Sequence, residues 1–260
     1  MPEPLRIGLI AALEREVAPL LQGWRRDSLS WTGGHGVSGR PLYTREWREA
    51  GEVRLRSALV IAGTGADNAE DSCQALIDRF SPSMVISVGF AGALLPELGV
   101  GDIVIPAQIA RDGYAVALNF PTEFGQGVVV SVNRVVAGEE KLHLARQYAA
   151  SAVEMEAAVV AAVAGARGVK FAAVKAISDL LNDEAIGATA PFIGAQGFEL
   201  KRFLFHVAVR PKLWPVLATL GRNSKRASLA LCRTIEDLLK SPTEFAARCT
   251  PQVVRPDGDN

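Results

Sequence analysis

The chain predicts an α/β fold with a mostly parallel sheet, on three observations. Apolar runs of strand length alternate with longer segments of helical pattern. Glycine-rich turns follow several of those runs directly. Hydrophobic residues make up 49% of the 260 residues and charged residues 22%, which can fill a core on both faces of a sheet and rules out a disordered chain.

The elements follow in order. Arg6–Ala12 is almost continuously apolar, the pattern of a strand buried on both faces. Glu14–Leu21 reads as a helix with acids in its first turn. Residues 24–51 are polar and Gly-rich, with Pro41–Trp47 as a strand. Ser57–Ala62 is a buried strand that runs into Gly63-Thr64-Gly65 and a helix over Asp67–Arg79. Ser83–Val88 enters the turn Gly89-Phe90-Ala91-Gly92, and Asp102–Ala107, Val128–Val132 and Phe171–Ile177 complete the strands. Between the last two lies a helix over roughly Ala152–Ala166, rich in Ala and Val. In such sheets ligands sit at the carboxyl ends of strands, where the glycine turns and several acids fall.

Residues 1–240 read as one domain. From Lys201 to Arg233 there are eight basic residues and no Asp or Glu, interleaved with Leu, Phe, Trp and Val. This predicts basic amphipathic helices over about 200–240, broken near Pro211, Pro215 and Gly221, and able to touch a membrane surface peripherally. Residues 241–260 read as a flexible tail. With 28 basic and 28 acidic residues the formal net charge is zero, so nucleic acid is not an expected partner. Cys73, Cys232 and Cys249 form no CxxC pair and no disulfide framework. With neither a secretory signal nor an apolar run of membrane length, they point to the cytoplasm.

The three histidines, His35, His143 and His206, are scattered, so no metal is expected, and nothing implies a redox cofactor. Both the GxxxxGK[ST] phosphate loop and the GxSxG nucleophile turn are absent. The Gly63-Thr64-Gly65 turn is either a plain strand-to-helix turn or a cradle of N–H groups, Gly65 included, for an anion or polarised water. The acids say more. Glu16 follows the first strand, Glu154 and Glu156 flank Met155 at the start of a helix, and Asp179 follows Ser178 after a buried strand. Singly each could be a cap or a solvated acid; together they could supply a base, a hydroxyl-binding carboxylate and an acid around one cleft.

These segments resemble the purine nucleosidase/phosphorylase superfamily, and most of all the 5′-methylthioadenosine/S-adenosylhomocysteine nucleosidases. The matching pieces are IGLIAALEREV (Ile7–Val17), the Gly63-Thr64-Gly65 turn, VISVGFAGALLPELGVGDIVIP (Val85–Pro106), AVEMEAA (Ala152–Ala158) and VKAISD (Val174–Asp179), in family order over about the first 180 residues. The resemblance implies a three-layer α/β/α sandwich around a twisted mixed sheet, assembled as a homo-oligomer, most simply a dimer. It implies that Asp179 protonates or hydrogen-bonds the purine N7, supported by Ser178. It gives Glu156 the ribose hydroxyls, with Glu154 beside it, Met155 the ribose face, and Glu16 the attacking water. A carboxylate at the nucleophile position suits water and repels phosphate, although Arg15 or Arg56 could still form a phosphate clamp.

The chain departs from the family at Phe90, where a small residue is usual after the glycine. A ring there could reshape the sugar site, or fill the nucleophile site and leave a nucleoside-binding protein without turnover. Phe203–Leu231 resembles the tail of hopanoid-associated phosphorylases, which opens a second reading: a phosphorylase or nucleosidase acting on a hopanoid-linked adenosine. The first reading is hydrolysis of a 5′-modified adenosine to release adenine.

Overall fold

The computed structural model describes residues 3–27, 40–111, 114–119, 127–183, 193–194, 197–198, 214–241 and 250–254. The chain opens with β1 (Leu5–Ala11), α1 (Glu14–Val17), β2 (Arg25–Asp27), β3 (Leu42–Glu49), β4 (Glu52–Ile61) and α2 (Ala66–Phe80). It continues through β5 (Met84–Ala93), β6 (Ile103–Val104), β7 (Gln108–Arg111), β8 (Tyr114–Asn119), β9 (Val128–Ser131), α3 (Glu139–Tyr148), β10 (Ala150–Glu154), α4 (Ala157–Ala166) and β11 (Lys170–Asp179). The hairpin strands β12 (Ile193–Gly194) and β13 (Gly197–Phe198), the long helix α5 (Trp214–Lys240) and β14 (Thr250–Val254) follow.

Twelve strands form one mixed sheet in the order β14-β8-β7-β9-β10-β5-β1-β4-β3-β2, with β11 joined to β5 and β6. β5 is the pivot. It runs parallel to β1 through Met84–Val88, antiparallel to β10 at Gly92 and Ala93, and parallel to β11 from Met84 to Gly92. The period of two sorts its neighbours into layers. Ile7, Leu9 and Ala11 of β1 face the same cluster as Ala227, Leu231, Cys232, Ile235 and Leu239 of α5. Ile10 faces the other side, with Ala69, Cys73 and Leu76 of α2 and Ala157, Ala161 and Ala164 of α4. Helices therefore cover both faces of the sheet, as the double-sided apolar pattern of β1 predicts.

Three elements differ from the sequence reading. Ala152–Glu154 is strand, not the start of a helix, because Ala152 and Val153 are captured between Gly92–Ala93 of β5 and Val129–Val130 of β9. Gly89–Gly92 continues β5 instead of turning out of it. Within the described part of the basic segment, Trp214–Lys240 is one helix without the breaks expected at Pro215 and Gly221. Pro215 lies in its first turn, where a missing N–H costs nothing, and Gly221 costs only about 1 kcal/mol against alanine. Pro211 lies outside the described residues, as does all of Phe203–Leu213. Within the stretch expected as a tail, Thr250–Val254 pairs antiparallel with β8.

α5 also reaches the start of the chain. The thiol of Cys232 lies 3.7 Å from the backbone carbonyl oxygen of Glu16 in α1. Cys73 and Cys232 are buried free thiols, and burial raises both, Cys73 to about 12, so neither is a nucleophile near neutrality. No described helix is long and apolar enough to cross a membrane.

Candidate active site

Three of the predicted acids, Glu16, Glu156 and Asp179, lie at or just beyond the carboxyl ends of β1, β10 and β11, the strands that pair with β5. Glu16 gets there because α1 begins straight after β1. Its Oε2 accepts the Leu13 N–H at 3.0 Å, which is half of a capping box and fixes the carboxylate over the first turn. Its Oε1 faces the Phe90 N–H at 3.3 Å. A Cβ on Gly89 would come within 3.2 Å of Glu16 Oε2, so the glycine lets the carboxylate lie close against β5. Glu16 is 5% exposed, and burial pushes its carboxyl upward against the pull of the Leu13 amide and the Lys175 charge. An acid raised in this way holds a proton taken from water more readily than an exposed carboxylate does.

Phe90 therefore meets Glu16 through its amide. Its ring is half-buried and packs against the cluster beneath α5.

Glu156 is the N-cap residue of α4 and stays partly exposed. Its Oε1 accepts the Gly65 N–H at 2.9 Å, which ties the Gly63-Thr64-Gly65 turn to α4. Gly65 has φ +94°, a conformation that favours glycine, and this backbone turns its amide onto the carboxylate. Burial first, and then the charge of Glu154, raise Glu156 to about 7.

Glu154 has a different task. Its Oε2 accepts the N–H groups of Glu156 (3.0 Å) and Ala157 (2.9 Å) and pairs with Lys175 Nζ at 2.9 Å. Its Oε1 is bonded by the Ser131 hydroxyl. With both oxygens taken, this residue, read from the sequence as substrate-binding, is the buried cap of α4. Burial works to raise it, but the Lys175 charge and these donors hold it below the usual carboxylate range. Lys175 also donates to Ser87 Oγ at 3.0 Å. Met155, between the two acids, lines a small cleft with Ala66, Arg111, Asn133 and Val159.

Asp179 closes β11 and is 6% exposed. The Ser178 hydroxyl donates to its Oδ1 at 2.9 Å, and Lys141 Nζ holds its Oδ2 in an ion pair. Asp179 stands opposite Gly92 in the β5–β11 ladder, and a Cβ there would be 2.7 Å from Asp179 Oδ2. Glu16 thus lies against Gly89 and Asp179 against Gly92. Those glycines are three positions apart on β5, about 10 Å along the strand.

The sequence reading missed Lys141, which is fully buried on α3, a helix it also missed. Arg56, a candidate phosphate clamp, pairs with Glu46 and stands beside Arg6 near the start of β1, the far end of the sheet from Glu16. Arg15 is exposed. Among the described residues no group of His, Cys, Asp and Glu could hold a metal ion.

Two predictions arise here. Lys175→Met leaves Glu154 buried without its cation and removes the charge that offsets Glu16 and Glu156. The expected cost is about 3–5 kcal/mol, or a fall in Tm of roughly 10 °C, partly recovered by adding Glu154→Gln. The second concerns pH. Glu156 rises from 4.5 to about 7 on folding, so the folded state binds more protons than the unfolded one between those values. Its contribution is present below about 4.5 and is lost as pH rises through about 7. Glu156→Gln should therefore gain on wild type in Tm between pH 5 and pH 8, by an amount on the order of a few degrees. A constant difference across that range would show that Glu156 does not carry the shift.

The fold and the sequence have clear relatives. The family model described as the phosphorylase superfamily matches residues 6–124 and 114–195. The 5′-methylthioadenosine/S-adenosylhomocysteine nucleosidase of Bacillus pumilus is 30% identical over 216 residues, covering 70% of this chain and 88% of that protein. That of Listeria monocytogenes is 27% identical over 227 residues, covering 73% and 92%. The same fold occurs in the solved nucleosidase of Helicobacter pylori, with TM-score 0.68 and 16% identity over 92% of this chain and 100% of that one. It also occurs in the futalosine hydrolase of that organism, with TM-score 0.67 and 16% identity over 91% and 98%. This chain belongs to the phosphorylase superfamily, in the family of the 5′-methylthioadenosine/S-adenosylhomocysteine nucleosidases.

Proposed function

We propose that the chain is a nucleosidase that hydrolyses the N-ribosidic bond of a 5′-modified adenosine and releases adenine. The observation that carries the reading is the pair of carboxylates seated on Gly89 and Gly92 of β5, with Glu156 coupled electrostatically to the first of them. The curated relatives support it, since those proteins are named for methylthioadenosine and adenosylhomocysteine.

In this mechanism bond cleavage builds positive charge on the ribose and negative charge on the purine. Asp179 donates a proton to N7, so that a neutral base departs. Ionised Glu156 accepts from the ribose hydroxyls and stabilises the cationic ribose. Glu16 orients a water against the anomeric carbon and takes its proton.

Water is favoured over phosphate because Glu16 is a carboxylate, Lys175 is committed to Glu154, and Arg56 lies at the other end of β1. Turnover is favoured over a binding-only role because the Phe90 ring packs on the core while its amide meets Glu16. The hopanoid-linked substrate rests on Phe203–Leu231, of which 203–213 lie outside the described residues. We include in the proposal a homodimer, a cytoplasmic setting and a peripheral membrane contact through Arg222, Lys225, Arg226 and Arg233, which are exposed on α5.

Adenine release from 5′-methylthioadenosine and S-adenosylhomocysteine, with and without phosphate, tests the reading. Release without phosphate, with a free ribose product, is expected. Release only with phosphate, as a ribose 1-phosphate, would make the chain a phosphorylase and remove the role of Glu16.

A further inference from the structure

Lys141 has no part in the mechanism above, yet it is 0% exposed on an otherwise polar helix. Burying an ammonium is costly unless it is paired and hydrogen-bonded. Its Nζ meets two acceptors, Asp179 Oδ2 and the Leu180 carbonyl oxygen, the latter at 2.7 Å. β5 makes room for the pair: a Cβ on Gly92 would lie 2.7 Å from Asp179 Oδ2 and 3.2 Å from Lys141 Nζ. Ser178 takes the other oxygen, Oδ1. The carboxylate is thus clamped on one oxygen by a full positive charge and on the other by a hydroxyl that can rotate.

We infer that Lys141 is the positioning residue of the leaving-group acid: it fixes Asp179 through Oδ2, leaves Oδ1 for the purine, and stabilises the carboxylate that proton donation produces. The inference rests on the nucleosidase reading. In the step concerned the ribosidic bond breaks and its electron pair passes to the purine. N7 takes the proton from Asp179 Oδ1, and the water oxygen bonds to the anomeric carbon while its proton goes to Glu16. The negative charge left on Asp179 then lies beside the Lys141 ammonium, where a fixed cation costs no reorganisation at the moment of reaction. Lys141 touches neither substrate nor water and acts only through Asp179.

The test compares wild type, Lys141→Met and Lys141→Gln on two substrates. One is 5′-methylthioadenosine. The other is a 4-nitrophenyl riboside with the same 5′ group, whose leaving group departs without a proton. With the adenosine substrate, kcat should fall at least about tenfold in both variants, part of the roughly 100-fold or more that a positioned acid supplies. KM should stay within about threefold, because the loss is confined to the transition state. Turnover of the nitrophenyl riboside should stay within about threefold of wild type. Equal losses on both substrates, or no loss on either, would overturn the inference. Lys141→Gln keeps a donor in the buried position, so unfolding of both variants would assign Lys141 to the core alone and would also overturn it. Failure of the wild-type chain to release adenine would sink the nucleosidase reading itself; release with unchanged variant kinetics would sink only the role of Lys141.

Discussion

Asp179→Asn is expected to lower kcat for adenine release by about 100-fold or more while KM changes little. The amide matches the carboxyl in shape, but its single oxygen can accept from Lys141 or from Ser178 and not from both. It cannot pass a proton to N7, and that interaction is made only in the transition state. The substitution also leaves the Lys141 ammonium without an anionic partner, so a fall in Tm should accompany the loss of rate. Thermal melts beside steady-state kinetics separate the two. A KM that rises as steeply as kcat falls would mean that Asp179 holds the ground-state substrate and is not the acid.

Glu16→Gln should remove hydrolysis almost completely, again by about 100-fold or more, because no other described carboxylate meets the Phe90 amide. Glutamine has one carbonyl oxygen, whereas Glu16 accepts from both Leu13 and Phe90. One of those N–H groups loses its acceptor, at a cost of about 1–3 kcal/mol. Substrate binding should survive, and equilibrium binding of an uncleavable analogue would show it. Wild-type turnover by Glu16→Gln would end the hydrolytic assignment.

The layers were legible because β1, β4, β5 and β11 carry apolar runs whose alternate residues face opposite clusters. The acids were legible because each falls at or just after the end of such a run. Lys141 was not. It sits in EEKLHLARQY, a polar segment in which a single lysine looks solvated, and its partner lies 38 residues further along the chain. Nothing local marks that contact, which exists only once α3 and the end of β11 are brought together. The task of Glu154 was hidden in a similar way: its ties to Ser131 and Lys175 are long-range, and an Ala- and Val-rich stretch fits a helix as readily as a strand between two neighbours. The unbroken α5 was hidden by Pro215 and Gly221, whose effect depends on how far into the helix they fall.

The contact between Cys232 and the Glu16 backbone spans 216 residues, and it orders events during synthesis. Every strand that presents an acid leaves the ribosome before α5 does. A nascent chain can therefore assemble β1, β5 and β11 while the turn that holds Glu16 still lacks its outer wall. Contacts of such separation close late, after the local ones, since the entropy of looping must be overcome first. The surroundings of Glu16 are thus completed later than those of Asp179, and a chain stalled short of α5 holds Asp179 in its ion pair while the turn of Glu16 is unfinished.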